Sequence, residues 1–199
     1  MADHPDDDLV PTRAEGYKLG EKKTVDEYAK LDAEDEALNR WKASLGIGAD
    51  ASIGDPNDKR PVVILELALE VEGRPDVVIE LEQPGALEAL TGKPFTIKEK
   101  AQYSMRVKFR VQHEVISGLR YLQRVKRKGV TVDKSEEMMG SFAPNTLSTP
   151  VYEKKFAKEE APSGMLFRGH YEVLSRFMDD DHRNYLQFEW SFDIKKSWE

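Results

Sequence analysis

From residue 61 to the end of the chain, apolar residues recur at every second position, and that rhythm constrains the fold more than any other feature. Leu65, Leu67, Leu69 and Val71 alternate with Glu66, Ala68 and Glu70. After a Gly73-Arg74-Pro75-Asp76 turn, Val77, Ile79 and Leu81 alternate with Val78, Glu80 and Glu82. Tyr103, Met105, Val107, Phe109 and Val111 oppose Gln102, Ser104, Arg106, Lys108 and Arg110, and Leu186 to Ile194 repeats the pattern. Successive side chains of a strand point to opposite faces, so each run is a strand with one face in a core. Further strands are expected around 94–98, 119–126, 151–156 and 165–177. Seven to nine strands separated by turn signals predict an antiparallel β-sandwich, with a filled barrel as the alternative.

The first third of the chain reads differently. Residues 1–60 hold 15 acidic and nine basic residues, net −6, out of −7 for all 199 residues. Residues 1–23 are polar and aperiodic and are expected to be disordered alone. Thr24-Val25-Asp26-Glu27 fits a capping box, with Val25, Tyr28 and Leu31 on one helical face. Asp32 is the expected cap of a second helix, whose stripe is Leu38, Trp41 and Leu45 and whose stop is Gly46. Helices this short are marginal alone, so they pack either on the rest of the chain or on a partner. Residues 46–60 are rich in Gly, Asp and Pro and read as a linker. The domain expectation is therefore an arm over 1–60 and a β domain over 61–199.

Several classes fall away. A net acidic chain has no overall attraction for nucleic acid. The longest strictly apolar stretch is Val62–Leu65, far short of the ~20 residues of a membrane helix. The N-terminus lacks the basic and apolar regions of a secretory signal. There is no Cys, so thiol catalysis, Cys-ligated zinc and lipidation of this chain through Cys are excluded. A reduced, cytoplasmic setting is the expectation.

Catalytic signatures also fail. Gly92-Lys93 lacks the spacing and the Ser or Thr of a phosphate loop, and His113-Glu114 meets Ser117 where a zinc-protease motif needs His. His4, His113, His170 and His182 have no metal-ligand spacing. Asp179-Asp180-Asp181 reads as a solvated acidic loop before it reads as a cation site. Arg124-Val125-Lys126-Arg127-Lys128 reads as a hairpin end leading to Gly129. The expectation is a non-enzyme without metal or cofactor.

Whole segments then resemble a known family. FRVQHEVISGLRYLQ (109–123), RKGVTVDKSEEMMGSFAP (127–144), EEAPSGMLFRGHYEVLSRFMDDD (159–181) and FEWSFDIKKSW (188–198) closely resemble the Rho GDP-dissociation inhibitors. EYAKLDAEDEALNRWKASL (27–45) is similar to that family's N-terminal regulatory arm. The resemblance implies an immunoglobulin-like sandwich preceded by an arm with two short helices. It also implies a partner, a GDP-bound geranylgeranylated Rho-family GTPase, whose GDP release the arm slows. The isoprenoid would lie in a cleft between the sheets, so that the GTPase is drawn from membrane to cytosol. Stable membrane insertion of this chain is not expected.

By matched position, the resemblance assigns GTPase contacts to Tyr17, Asp35 and Asp181, and an acidic pair facing the GTPase's basic tail to Glu159 and Glu160. Leu38, Trp41 and Leu45 are the expected apolar contacts of the arm. Leu69, Phe95, Tyr103, Val115, Val173, Phe188 and Trp190 match cleft positions or their neighbours. Departures exist: Trp41 stands for Tyr, Phe188 for the Trp of animal relatives, Thr24 for a Ser, and LGEKK after Tyr17 lacks the usual prolines. Two other readings stay open. One is a general lipid carrier, which has no need of the 24–45 helices, and the other is an enzyme using Asp179–Asp181 and His182.

Overall fold

The computed structural model describes residues 9–12, 27, 30, 34–44, 52–90 and 92–198. Tyr17, Thr24, Asp32, Leu45 and Gly46, with the first expected helix apart from Glu27 and Lys30, lie outside them. So does the side chain of Trp41.

Alternating sequence becomes two stacked sheets. The strands are β1 (Val62–Val71), β2 (Val77–Glu80), β3 (Phe95–Lys98), β4 (Gln102–Val111), β5 (Ile116–Arg127), β6 (Val130–Phe142), β7 (Tyr152–Glu160), β8 (Gly169–Met178) and β9 (Asn184–Lys195). One sheet has the order β2-β1-β4-β7, the other β3-β9-β8-β5-β6. All pairings are antiparallel except β3 with β9, which run parallel. The fold is thus an all-β sandwich. Its main core joins Val107, Phe109 and Val111 of β4 to Ile116, Leu119 and Tyr121 of β5, with Phe177 and Phe188 from β8 and β9. Each such side chain contributes about 1.5–3 kcal/mol by leaving water.

Two departures from simple alternation have local causes. A β-bulge lies where Ile64 pairs with Phe109 but Glu66 pairs with Lys108. The extra residue, Leu65, is only half-buried, and the inward series is Val62, Ile64, Leu67, Leu69 and Val71. The expected inward placement of Leu65 is corrected accordingly. The thirteen-residue β6 was not expected at all. It is an edge strand, and Met139 is its one buried residue.

On the outer face of the first sheet, Arg106 donates to Glu66 at 2.6 Å, Glu70 at 2.7 Å and Asp76 at 3.2 Å. That face is a charge lattice, and it leaves the inner faces free to be apolar.

Helix α1 spans Glu36–Ser44, and a short α2 spans Ala86–Leu90. Asp35 rather than Asp32 caps α1: its Oδ1 accepts from the amides of Ala37 at 2.8 Å and Leu38 at 3.1 Å.

Two stretches of the expected arm dock on the sandwich. Residues 52–60 are held by Ile53 N to Asn145 O at 3.0 Å, Asp55 N to Gln112 Oε1 at 3.0 Å, and Gln112 Nε2 to Arg60 O at 3.0 Å. Residues 9–12 lie on the outer face of the second sheet. There Leu9 packs with Leu122, Leu174 and Met178. Arg176 Nη1 donates to Leu9 O at 2.7 Å, and Arg120 Nη1 to Thr12 O at 3.2 Å. The Thr12 amide and hydroxyl both donate to Glu136, at 3.0 and 2.8 Å. Within the stretch 1–23, these four residues thus have a defined place on the sandwich.

Candidate functional site

At one end of the sandwich the sheets part around a cavity of about 520 Å³. That volume falls in the range of pockets that bury a whole small ligand. One wall comes from Leu69, Tyr103, Met105 and Phe156, the other from Tyr121, Val125, Tyr171, Trp190, Phe192 and Ile194. These are inward residues of their strands, and register brings them together: Val125 pairs with Val173, and Val173 with Trp190. Aromatic faces stiffen the second wall. Tyr171 stacks on Phe192 with centroids 5.0 Å apart and planes 5° from parallel.

The few polar groups in this wall satisfy one another. Trp190 Nε1 donates to Ser175 Oγ at 2.9 Å, Ser175 and Tyr121 share a hydrogen bond of 2.8 Å, and Tyr121 Oη donates to Gln123 Oε1 at 2.8 Å. A single direction, Trp190 to Ser175 to Tyr121 to Gln123, uses every proton once. Burial pushes the Tyr121 phenol far above its ordinary pKa, so it stays a donor. The wall therefore shows a guest carbon faces rather than unmet donors.

The rim is acidic. Glu159 and Glu160, exposed at the end of β7, line the mouth together with Asp133 and Glu137. Tyr103 Oη donates to Glu159 Oε2 at 2.9 Å, and Gln102 Nε2 to Glu160 Oε2 at 2.5 Å. Burial, then the Glu159 charge, drives the Tyr103 phenol well above its usual range. The site is thus an apolar slot ending in carboxylates, suited to a hydrocarbon chain continued by a cationic segment.

Of the seven residues assigned to the cleft, Leu69, Tyr103 and Trp190 line this cavity. Phe95 meets Trp190 edge-on at 6.2 Å and borders a small adjoining void with Leu69. Val173 is buried in the second sheet and borders a separate hollow of about 430 Å³ shared with Arg124, Lys126, Glu172 and Glu189. Phe188 is buried in the main core. Val115 is half-buried just before β5, whose cavity-lining residues begin only at Tyr121.

The residues assigned to the GTPase fall in three places. Asp35 caps α1 and half-buried Leu38 lies in it, while Glu159 and Glu160 belong to the rim. Asp181 sits half-exposed in the β8–β9 turn, at the opposite end from the mouth. Tyr17, Leu45 and the Trp41 side chain lie outside the described residues. The neighbouring acids are not a solvated loop as expected. Asp179 is 1% exposed and accepts from Arg183 N and Nε, both at 2.9 Å, and from Tyr185 Oη at 2.5 Å. Asp180 pairs with Arg120 at 2.8 Å. These acids fasten a turn. Among the described residues no group of three or more His, Asp or Glu side chains is placed to hold a metal ion, and no helix is long and apolar enough to cross a membrane.

Sequence comparison agrees with this architecture. The family model described as RHO protein GDP dissociation inhibitor matches residues 2–197. The chain is 52% identical over 180 residues to the Rho GDP-dissociation inhibitor of Schizosaccharomyces pombe, covering 90% of this chain and 86% of that one. It is 45% identical over 182 residues to the Rho GDP-dissociation inhibitor of Saccharomyces cerevisiae, covering 90% of each. It is 40% identical over 182 residues to the human Rho GDP-dissociation inhibitor 1, covering 92% of this chain and 86% of that one. The chain belongs to the Rho protein GDP-dissociation inhibitor family.

Proposed function

We propose that this protein binds GDP-loaded, prenylated Rho-family GTPases, slows their loss of GDP and carries them from membranes into the cytosol. The observation that carries this reading is the apolar 520 Å³ cavity with an acidic rim, in a chain of this family. Burying an isoprenoid recovers about 0.8 kcal/mol per apolar carbon, so a twenty-carbon chain gains on the order of 10 kcal/mol or more. Only an enclosed slot offers that much in competition with a bilayer. The lipid would lie against Leu69, Tyr103 and Trp190 with Phe95 behind, and the GTPase's basic tail would meet Glu159 and Glu160. An apolar slot discriminates poorly among prenylated clients, so selectivity falls to the arm, through Tyr17, Asp35, Leu38, Trp41 and Leu45, and to Asp181. The protein is then a regulator rather than an enzyme, and works in the cytoplasm.

The test mixes the protein with prenylated Rho·GDP on liposomes. The GTPase is expected in the supernatant, with slowed nucleotide release; unchanged partitioning and release would refute the reading. Truncation should begin at residue 52, which spares the docked 52–60 segment. The truncated protein should keep prenyl binding and lose most inhibition of nucleotide release.

A further inference from the structure

Beside the cavity mouth is a turn built to hold apolar side chains in water. Its backbone is pinned from two sides. The Phe167 amide donates to Gly164 O at 3.0 Å, and Glu99 accepts from Gly164 N at 2.9 Å and from Arg168 Nη2 at 2.7 Å. Arg127 donates to Arg168 O at 2.7 Å and also to Leu166 O. Held this way, Met165 and Leu166 are 84% and 82% exposed, and Phe167 is 48% exposed.

The β5–β6 hairpin lies alongside. Its turn is Lys128-Gly129, with φ of 50° and 78°, and Arg127 pairs with Val130 in the register. Val130 and Val132 are exposed as well. Phe167 and Val132 both line the cavity, so the patch runs into its mouth. Residues 126–132 and 163–169 carry Lys126, Arg127, Lys128 and Arg168 and no acid. Glu99 offsets one of these charges, and Asp133, Glu137, Glu159 and Glu160 line the neighbouring mouth, so the excess of cations belongs to the two tips alone.

Apolar tips this exposed mark a contact site. Two narrow tips of Met, Leu, Phe and Val side chains, each flanked by cations, fit the boundary between anionic headgroups and acyl chains better than a flat protein face. We propose that the Met165–Phe167 turn and the Val130–Val132 hairpin tip form an edge that dips reversibly into an anionic bilayer, setting the cavity mouth against the membrane. The inference rests on the prenyl-sheltering reading for its purpose, but its measurement is separate. An isoprenoid handed over at this edge crosses little water.

The experiment floats the full chain with neutral phosphatidylcholine vesicles and with vesicles containing phosphatidylserine, at low ionic strength. Affinity for a water-soluble geranylgeranylated peptide is measured in parallel. Wild type should co-float with the anionic vesicles, and M165D/L166D should do so at least tenfold less, with peptide affinity unchanged. Both sites are exposed, so folding is not at stake, and M165L/L166M should restore flotation. K128Q should lower binding about fivefold on anionic vesicles only. Three results would overturn the edge: no vesicle binding by wild type, equal binding by M165D/L166D, or a parallel loss of peptide affinity, which would place the turn within the lipid site itself. Vesicle binding without any peptide binding would support the edge while removing the prenyl reading.

Discussion

Asp180 lies so close to Gly118 that a β-carbon at position 118 would stand 1.9 Å from a carboxylate oxygen. Gly118 also has φ of +62°, where a side chain adds strain. Its lack of a side chain is what lets the β8–β9 turn close on β5, with Asp180 N donating to Ser117 O at 3.2 Å and its carboxylate on Arg120. Gly118→Ala is therefore expected to cost about 2–4 kcal/mol in urea unfolding. The double variant G118A/D180A should recover part of that loss, because removing the carboxylate relieves the clash. Strictly additive losses would show that the two residues are not coupled.

Arg120 passes this relationship to the N-terminus through Glu136 and Thr12. Burial works against the charge of Glu136, but the Arg120 guanidinium and the Thr12 amide and hydroxyl outweigh it and hold its carboxyl below the ordinary value. The sign follows. A depressed folded pKa gives stability that is present above the unfolded value of about 4.3 and lost as pH falls through the folded one. Protection of the Thr12 amide from hydrogen exchange should stay level from neutral pH to about 4 and decline only below it. A loss near pH 6 would contradict the assignment.

The same segment supports a second test. Thr12 and Ser52 are each tied to the sandwich, and a tether of that kind would lower the entropy lost in the proposed contact with a partner. Leu9→Ala should leave the unfolding midpoint of the sandwich nearly unchanged. It should speed Thr12 exchange and weaken inhibition of nucleotide release severalfold. Unaltered inhibition with the segment released would separate this dock from function.

The cavity wall has its own weak point at Ser175, which is fully buried between Trp190 and Tyr121. Ser175→Ala leaves the indole N–H without an acceptor, at a cost of about 1–3 kcal/mol. If the proposed lipid site is right, affinity for a prenylated peptide should fall with it, since Trp190 loses the bond that fixes its ring in the cavity wall. Unchanged stability would mean that the hydrogen-bond chain is dispensable.

Alternation made β1, β4 and β9 legible because each has one face in the core and one in a charged surface. It could not reveal β6, whose edge position leaves most of its residues exposed on both faces, or the bulge that turns Leu65 aside. It also separated inward from outward without saying at which end the sheets part. Tyr121, Val125, Tyr171, Phe192 and Ile194 were missed for that reason, although each sits on an inward face. Only register aligns them. The Asp179 carboxylate looked like part of a solvated run, and the signal against that was Arg183, four residues on and able to close the turn over it.

Asp35 carries two roles that a single alanine cannot separate. Its carboxylate caps α1 through the amides of Ala37 and Leu38, and it is also the arm residue proposed to meet the GTPase. Asn caps a helix about as well as Asp, whereas Ala costs about 1 kcal/mol of helix stability. Asp35→Asn therefore keeps the cap and removes the charge. If the charge contacts the partner, D35N should weaken the complex nearly as much as D35A while exchange protection of the Leu38 amide is retained. If only the cap matters, D35N should bind like wild type and D35A alone should fail. Titrating both variants against prenylated Rho·GDP, with exchange measured on the free proteins, decides between them.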